Sequence, residues 1–517
     1  MTDRPKNVLL IVVDQWRGDC LGRYGNSWVK TPRLDALARR GMTFARHFAQ
    51  GAPCGPARTS LQTGKYVMNH RVVYNGVPLD ARHDHMARML RRAGYDPALV
   101  GYSTTTPDPR GLSPADFRFR TNGDIADSWR VIVQLDEQRS RTEAACNYAG
   151  WVKSRAPRHD GKTSDDLWRA QSGAARPDGT PTVVEAELSD SAWLAESAVE
   201  YLRGRPTSEP WMLHFGLYRP HPPFAAPAPF HDSVPLDRIP APVRAATPED
   251  EAGGHPYMQQ VLSTQDLGSY MVGGKGRPAG LTDRELRHLR QAYAGLIEEA
   301  DAQIGRVLDV LAERGELDST LIVFTSDHGE QLGDHYMLGK MGFYDQSYHV
   351  PLIVVDPRPE ANATRGRIVE GLTESIDVLP TILEWTGIEV PHTCDGISLL
   401  PVVRGSDETG RDAVHFEFAV RGGFLVPNRW TLGMDYRTCD LSVLRTDRYK
   451  YVHFQTLPPL LFDLQEDPAE LRDRSGDPAY AAVMLAMTQK MLTWRMHYAE
   501  RELVNLSASP KGLVRVG

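Results

Sequence analysis

Asn7-Val-Leu-Leu-Ile-Val-Val-Asp14 is an uninterrupted apolar run that starts after a polar residue and ends at an acid. Runs of this kind are typical of a strand that is buried on both faces of a parallel sheet. Thr320-Leu-Ile-Val-Phe-Thr-Ser-Asp327 has the same form and also ends at an acid. Because ligands of such sheets bind at the carboxyl ends of the strands, we expect Asp14 and Asp327 to lie in one site.

Other segments continue this pattern along the chain. Short apolar runs predict further strands at 98–102, 211–217 and 351–355. Amphipathic periodicity predicts helices at 31–40, 86–93 and 282–313, and the last of these opens with the capping box Thr282-Asp-Arg-Glu285. Strands that alternate with helices predict an α/β fold, in which a large, mostly parallel sheet carries helices on both faces.

The chain changes character twice along its length. Residues 105–185 are polar, rich in Pro, Gly and Arg, and weakly periodic, so we predict long loops over the site. Beyond about residue 400 the pattern predicts an antiparallel sheet with strands at 448–454 and 461–468, then a helix at 478–500. We therefore predict a catalytic domain, 1–400, and a smaller C-terminal α+β subdomain, 401–517, whose tail from Leu503 contacts a neighbouring subunit.

Composition limits the classes of protein that the chain can represent. The net charge of −7 gives no support for binding nucleic acid. The five cysteines are scattered and form no Cys-x-x-Cys pair, which argues against a zinc knuckle or a disulfide framework. The N-terminus is short and polar, and no apolar run approaches the length of a membrane span. These features predict a soluble, cytoplasmic protein that binds no membrane.

The stretch Cys54-Gly55-Pro56-Ala57-Arg58 carries the strongest chemical signal. Pro56 fixes its own φ and biases Gly55 towards extended geometry, which is consistent with a turn that leads into a helix. The N-terminus of that helix would favour an anion, and Arg58 offers a planar fork of donors. Alone, the pentapeptide is equally compatible with a small buried core cysteine.

The acids that end the two strands are followed by further polar residues. Asp14 precedes Gln15, and Asp327 precedes His328, Gly329 and Glu330. Two carboxylates and an imidazole at neighbouring strand ends would make a mixed oxygen and nitrogen site for a divalent ion. Taken singly, an acid after a strand is more often the N-cap of the next helix.

The Cys54 motif, which continues to Thr63-Gly64, resembles the signature of the type I sulfatase family. In that family a dedicated enzyme oxidises the cysteine to formylglycine, an aldehyde. The resemblance implies that the hydrated aldehyde attacks sulfur or phosphorus with one hydroxyl beside a metal. The second hydroxyl then releases the group by breaking the C–O bond. It also implies an alkaline phosphatase/sulfatase-like fold.

Two departures from the sulfatase pattern narrow the resemblance. Typical sulfatases carry Asp-Asp and Asp-Asn at the two strand ends and bind calcium, whereas this chain carries Asp14-Gln15 and Asp327-His328. The latter pattern resembles the phosphonate monoester hydrolases of the alkaline phosphatase superfamily, which cleave phosphonate monoesters and phosphodiesters and act on sulfate esters as a side activity. Nitrogen ligation favours manganese, and calcium, iron and zinc stay open as alternatives.

The resemblance also implies roles for individual residues. Asp14, Asp327 and His328 hold the metal together with residue 54, and Arg58 orients the diol. Lys340 and His221 face the transferred group. The side chains expected to contact substrate oxygens are Gln15, Asn75, Tyr102 and Thr104. Without the resemblance, Lys340 is a solvated loop cation and His221 a turn residue.

Three other histidines receive no catalytic role. We predict a structural position for His214 and surface positions for His83 and His85.

The leading hypothesis is therefore a formylglycine-dependent phosphonate monoester hydrolase and phosphodiesterase. Its partners are small-molecule esters and the formylglycine-generating enzyme, and the resemblance implies a homotetramer. One metal, one lysine, one arginine and one histidine suit a reacting group with a single negative charge, which phosphodiesters and sulfate esters share. A sulfatase proper is the alternative, and a non-catalytic, anion-binding member of the fold is a third.

Overall fold

The computed structural model describes residues 7–116, 119, 126–135, 147–406, 410–420 and 440–515. Its strands are β1 Asn7–Asp14, β2 Met42–Phe48, β3 Gly51–Ala52, β4 Pro97–Gly101, β5 Arg130–Gln134, β6 Met212–Pro220, β7 Thr320–Ser326, β8 His349–Val355, β9 Ile368–Glu374, β10 Ala413–Ala419, β11 Asp440–Thr446, β12 Tyr449–Phe454, β13 Leu460–Asp463, β14 Leu506–Ser509 and β15 Gly512–Arg515.

The α-helices over the same residues are α1 Pro32–Arg40, α2 Cys54–Thr63, α3 Val67–His70, α4 Met86–Arg92, α5 Asn147–Arg155, α6 Ser164–Trp168, α7 Asp190–Gly204, α8 Pro248–Ala252, α9 Pro256–Thr264, α10 Asp283–Glu313, α11 Asp345–Tyr348, α12 Val378–Thr386, α13 Leu400–Val403 and α14 Ala481–His497. The strands and helices predicted from apolar runs and periodicity are confirmed, with ends that differ by a few residues.

The central layer is an eight-stranded sheet in the order β5-β4-β6-β1-β7-β8-β2-β9. β5, β4, β6, β1 and β7 run parallel to one another, and β8 is antiparallel to both of its neighbours. All eight residues of β1 are buried, because β1 lies between β6 and β7 and is covered on both faces. The predicted mixed, mostly parallel sheet is therefore confirmed.

Helices pack on both faces of this sheet. Successive residues of β1, such as Leu9 and Leu10, point to opposite faces of the sheet and belong to two different apolar clusters. One cluster includes residues of α1, α7 and α10, and the other includes residues of α2, α4 and α12. The long helix α10 opens with the predicted capping box, in which Thr282 accepts from the backbone N–H of Glu285 and Glu285 accepts in return.

A second sheet of five strands has the order β13-β12-β11-β10-β3. Its antiparallel C-terminal part, β10 to β13, has the predicted form. Its edge strand β3 comes from the N-terminal part of the chain and pairs parallel with β10, with Ala52 opposite Phe418. This sheet therefore ties the segment just before Cys54 to residues more than three hundred positions later. The domain boundary placed at residue 400 stays a prediction.

The structure adds detail to two further segments of the chain. Within 105–185, which we expected to form loops, the described residues include strand β5 and helices α5 and α6. Trp168 of α6 is buried against Tyr148 of α5, and this packing gives the segment its own part of the core. The tail beyond Leu503 forms the hairpin β14–β15. Of the helices in the described ranges, none combines the length and the apolar character needed to cross a bilayer.

Candidate active site

Four adjacent parallel strands of the sheet end at the same edge, where polar side chains lie at or just after their final residues. β4 is followed by Tyr102, β6 by His221 and β7 by Asp327, while β1 ends at Asp14. Because β4, β6, β1 and β7 are adjacent and parallel, these residues converge at their carboxyl ends. The expectation that Asp14 and Asp327 share one site agrees with this arrangement.

Cys54 begins helix α2 and is 6% exposed. The backbone N–H of Gly55 donates to Oδ1 of Asn75 at 2.6 Å, which joins the loop at Asn75 to the first turn of α2. Burial, reinforced by the charge of Asp14, holds the pKa of the Cys54 thiol well above its usual range. An unmodified Cys54 is therefore a neutral thiol rather than a reactive thiolate.

Asp14, Cys54, Asp327 and His328 form one compact group, in which one ligand atom from each residue lies within 4.8 Å of the others. His328 Nε2 is 3.3 Å from Cys54 Sγ, 3.7 Å from Asp14 Oδ1 and 3.6 Å from Asp327 Oδ2. His328 Nδ1 lies 3.1 Å from the carbonyl of Gly329, so the Nδ1–H donates there and the Nε2 lone pair faces the group. The donor set, two carboxylates and an imidazole beside the Cys54 thiol, fits one divalent ion.

Charges around the group favour an ionised Asp14. Burial alone would raise the pKa of Asp14, but the positive charges of Lys340 and Arg58 outweigh burial and lower the pKa to about 2. Burial also lowers the pKa of His328, which keeps its imidazole neutral. A carboxylate and a neutral imidazole are the protonation states that metal ligands require.

Arg58 is buried beneath this group and contacts both carboxylates. Its Nε donates to Asp327 Oδ2 at 2.8 Å, and a terminal nitrogen donates to Asp14 Oδ2 at 3.3 Å. The guanidinium also donates to the carbonyl of Tyr102 at 3.0 Å and lies 4.1 Å from the centre of its ring. The structure thus places Arg58 in contact with two candidate metal ligands, and its predicted role in orienting the diol of residue 54 stays a prediction.

Lys340 reaches the site from the loop between β7 and β8. Its Nζ donates to Gln15 Oε1 at 2.6 Å and to Cys54 Sγ at 3.3 Å. Burial alone would lower the pKa of Lys340, but its contact with Cys54 and the negative charges of Asp14 and Asp327 outweigh burial and raise the pKa. The ammonium therefore stays charged beside residue 54.

The remaining residues predicted from the sequence lie around this centre. The hydroxyl of Tyr102 donates to Asp14 Oδ2, and Thr104 is buried with a left-handed φ of 51°. The ring of His221 lies 4.4 Å from that of Tyr218, and its Nδ1 is 2.8 Å from the carbonyl of Pro222. Burial, with the charge of Lys340 adding to it, lowers the pKa of His221, so its imidazole is neutral.

Three histidines outside the centre were assigned from the sequence. His214 is buried, where a structural role was predicted, and packs edge-on against Trp129. The prediction of surface positions for His83 and His85 is wrong, since each is 1% exposed. His85 Nε2 lies 3.0 Å from Asp127 Oδ1, so this buried imidazole pairs with a carboxylate that is itself exposed.

Sequence reasoning named the segment that contains Glu330 but gave this residue no role. Glu330 is fully buried and accepts hydrogen bonds from Gln15 and from the loop that carries Lys340. Its position two residues after His328, a predicted metal ligand, was the signal in the sequence that could have identified Glu330 as part of the site.

Such a site, with donors for one ion, a candidate nucleophile and a lysine at the strand ends of an α/β sheet, is of the kind found in metal-dependent hydrolases. The chain belongs to the sulfatase family, whose model matches residues 6–388. A second model, for the C-terminal part of N-sulphoglucosamine sulphohydrolase, matches residues 333–497.

Individual relatives cover nearly the whole chain. The chain is 45% identical over 516 residues to the multifunctional alkaline phosphatase superfamily protein PehA of Trinickia caryophylli, and this alignment covers 98% of each of the two chains. It is 40% identical to the crystal structure of the phosphonate monoester hydrolase of Agrobacterium radiobacter, with a TM-score of 0.92 and coverage of 99% and 100%. The phosphonate monoester hydrolase from Silicibacter pomeroyi is 35% identical, with a TM-score of 0.89 and coverage of 99% of each chain.

Proposed function

We propose that this protein hydrolyses phosphonate monoesters and phosphodiesters, with a slower action on sulfate esters. The observation that carries the proposal is the neutral imidazole of His328, which faces Cys54 Sγ at 3.3 Å beside two carboxylates. A nitrogen ligand is unfavourable for calcium and suits a transition ion. Whole-chain likeness to two phosphonate monoester hydrolases, at 40% and 35% identity, supports the same substrate class.

Membership of the sulfatase family implies a divalent ion and formylglycine, and both fit the residues present. We propose that Asp14, Asp327, His328 and residue 54 hold the ion, with manganese as the first candidate. The ion would act as a Lewis acid, and the hydrated aldehyde of residue 54 would supply the attacking hydroxyl. The proposed maturation partner is a formylglycine-generating enzyme.

The other side chains are proposed to handle charge and protons. Lys340 keeps its proton, so it stabilises negative charge on the transferred group rather than acting as an acid. His221 donates its Nδ1–H to Pro222, which leaves the Nε2 lone pair to accept a proton and return it to the leaving oxygen. Asn75, Tyr102 and Thr104 are proposed to supply neutral donors to a non-bridging oxygen of the ester.

We also propose that the protein is a homotetramer. Exposed apolar side chains on α14 and the tail hairpin support association, among them Leu492 at 59%, Met496 at 73% and Leu513 at 71% exposure. Sedimentation velocity tests this assignment: a tetramer agrees with it, and a monomer would contradict it. A cytoplasmic location stays a prediction.

A sulfatase is the second candidate, because the chain is also 29% identical over 481 residues to the arylsulfatase of Clostridium perfringens. Matched aryl esters separate the two functions: kcat/KM should be highest for the phosphonate monoester or the phosphodiester, and highest for the sulfate if the enzyme is a sulfatase. The protein should be metal-replete and made in a host that generates formylglycine.

Two controls belong to this comparison. Mass spectrometry of the peptide that contains Cys54 should show the mass loss that accompanies exchange of CH₂SH for an aldehyde. Cys54→Ala should abolish turnover and leave the folded structure intact. Near-normal activity in Cys54→Ala would refute the covalent mechanism.

A further inference from the structure

A buried carboxylate that the proposed chemistry does not use lies directly behind Lys340. Glu330 is fully buried, and both of its oxygens accept hydrogen bonds. Its Oε2 accepts from Nε2 of Gln15, while its Oε1 accepts from the backbone N–H of Leu332 at 2.8 Å and of Gly339 at 2.6 Å. One carboxylate therefore joins the end of β1 to the loop that carries Lys340.

The first consequence is that the amide of Gln15 has only one favourable orientation. A glutamine amide carries a donor at one end and an acceptor at the other, whereas both carboxyl oxygens of Glu330 act as acceptors and an ammonium only donates. Gln15 lies between these two groups, with Nε2 facing Glu330 and Oε1 facing Lys340 Nζ at 2.6 Å. Turning the amide over would set donors against the ammonium and an oxygen against the carboxylate.

The second consequence concerns the loop backbone. Gly339, which immediately precedes Lys340, has a left-handed φ of 80°, and Leu332 has a left-handed φ of 55°. The two N–H groups that Glu330 holds belong to these two residues. Glu330 thus holds the backbone next to Lys340 as well as the side chain that receives its ammonium.

We propose that Glu330 is a positioning residue for Lys340. By fixing the Gln15 amide and the Gly339 N–H, it places the Lys340 ammonium 3.3 Å from Cys54 Sγ. This inference rests on the proposed function only in taking Lys340 to stabilise charge on the transferred group.

Glu330→Gln tests the inference with almost no change of shape. The new side chain can still accept from Leu332 and Gly339 with its oxygen, so its NH₂ group meets the NH₂ group of Gln15. Gln15 then turns over and presents donors to Lys340. Since a hydrogen bond to a charged group is disturbed, kcat should fall about 10- to 100-fold while KM changes less than about threefold. Glu316→Gln, a buried carboxylate paired with Arg205 and Arg314 near the start of β7, is the matched control and should keep the wild-type kcat.

Rescue distinguishes positioning from a general structural role. In the double variant Gln15→Glu with Glu330→Gln, the amide at 330 donates to the carboxylate at 15, whose other oxygen receives Lys340. The double variant should exceed each single variant in kcat at least about tenfold. Wild-type kcat in Glu330→Gln, or a double variant no better than Gln15→Glu, would overturn the proposal. If the Glu330→Gln single variant does not fold, the test is the ratio of kcat between the double variant and Gln15→Glu, which should be at least about tenfold.

The ratios of kcat and KM between each variant and the wild type are measured with the ester that the wild type cleaves fastest. Metal content is measured in every variant. A wild type that cleaves only sulfate esters would refute the proposed substrate class and leave the test of Glu330 intact.

Discussion

Arg58→Lys should weaken the fold far more after metal removal than before it. Arg58 makes three donor contacts, to Asp327 at 2.8 Å, to Asp14 at 3.3 Å and to the carbonyl of Tyr102 at 3.0 Å. A lysine ammonium keeps the charge but cannot span both carboxylates. Hydrogen bonds to charged groups contribute about 1.5–3 kcal/mol each, so losing one to two of them costs about 3 kcal/mol in the metal-free protein.

Calorimetry converts this cost into a measurable shift. Unfolding entropy of about 2.1 cal/mol/K per residue gives about 1.1 kcal/mol/K for 517 residues, so the melting temperature should fall by roughly 3 °C. With a divalent ion bound, the cation itself compensates both carboxylates, and the shift should be about half as large or less. Arg203→Lys, which changes an exposed partner of Glu313, is the control and should shift the melting temperature little. Equal shifts with and without metal would refute the idea that Arg58 and the ion share Asp14 and Asp327.

Two other ionisable groups lead to further predictions. Lys340→Met should lower kcat about 100- to 1,000-fold without loss of folded protein, because it removes a cation 3.3 Å from Cys54 Sγ. A fall in kcat of less than about tenfold in steady-state kinetics would exclude the electrostatic role of Lys340. Glu299 is buried, accepts from Ser189 at 2.6 Å, and burial raises its pKa from 4.5 to about 7. The folded state therefore holds this proton more tightly than the unfolded state, and the resulting stabilisation is lost as pH rises from about 4.5 through 7. In Glu299→Gln the unfolding free energy relative to the wild type should thus rise by about 3 kcal/mol between pH 4 and pH 8, and parallel pH profiles in thermal unfolding would contradict the assignment.

The sequence was sufficient for the part of the fold that local patterns encode. The runs at Asn7 and Thr320 predicted strands because burial on both faces demands continuous apolar residues. Their final acids indicated the site because parallel strands end at one edge. The motif at Cys54 carried its own chemistry, and its resemblance to sulfatases agrees with the family found.

Features that depend on distant contacts were not predictable in this way. The strand Gly51–Ala52 has two residues and no pattern, and it exists only because Phe418 lies opposite Ala52. His83 and His85 occur in a polar stretch, so their burial depends on the packing of segments elsewhere in the chain. The contacts of Glu330 with Gln15 span 315 positions, and no spacing rule covers such a distance.

The pairing of Gly51–Ala52 with Ala413–Ala419 has a consequence for how the protein is made. The turn that buries Cys54 takes its final shape only when the β10 strand has left the ribosome, 359 residues after Cys54, the interval between residues 54 and 413. At about 5–20 residues per second, translation of that interval takes about 20 to 70 s. During this interval the segment that ends at Cys54 lacks its strand partner, so the surroundings that leave this cysteine 6% exposed are completed late in synthesis.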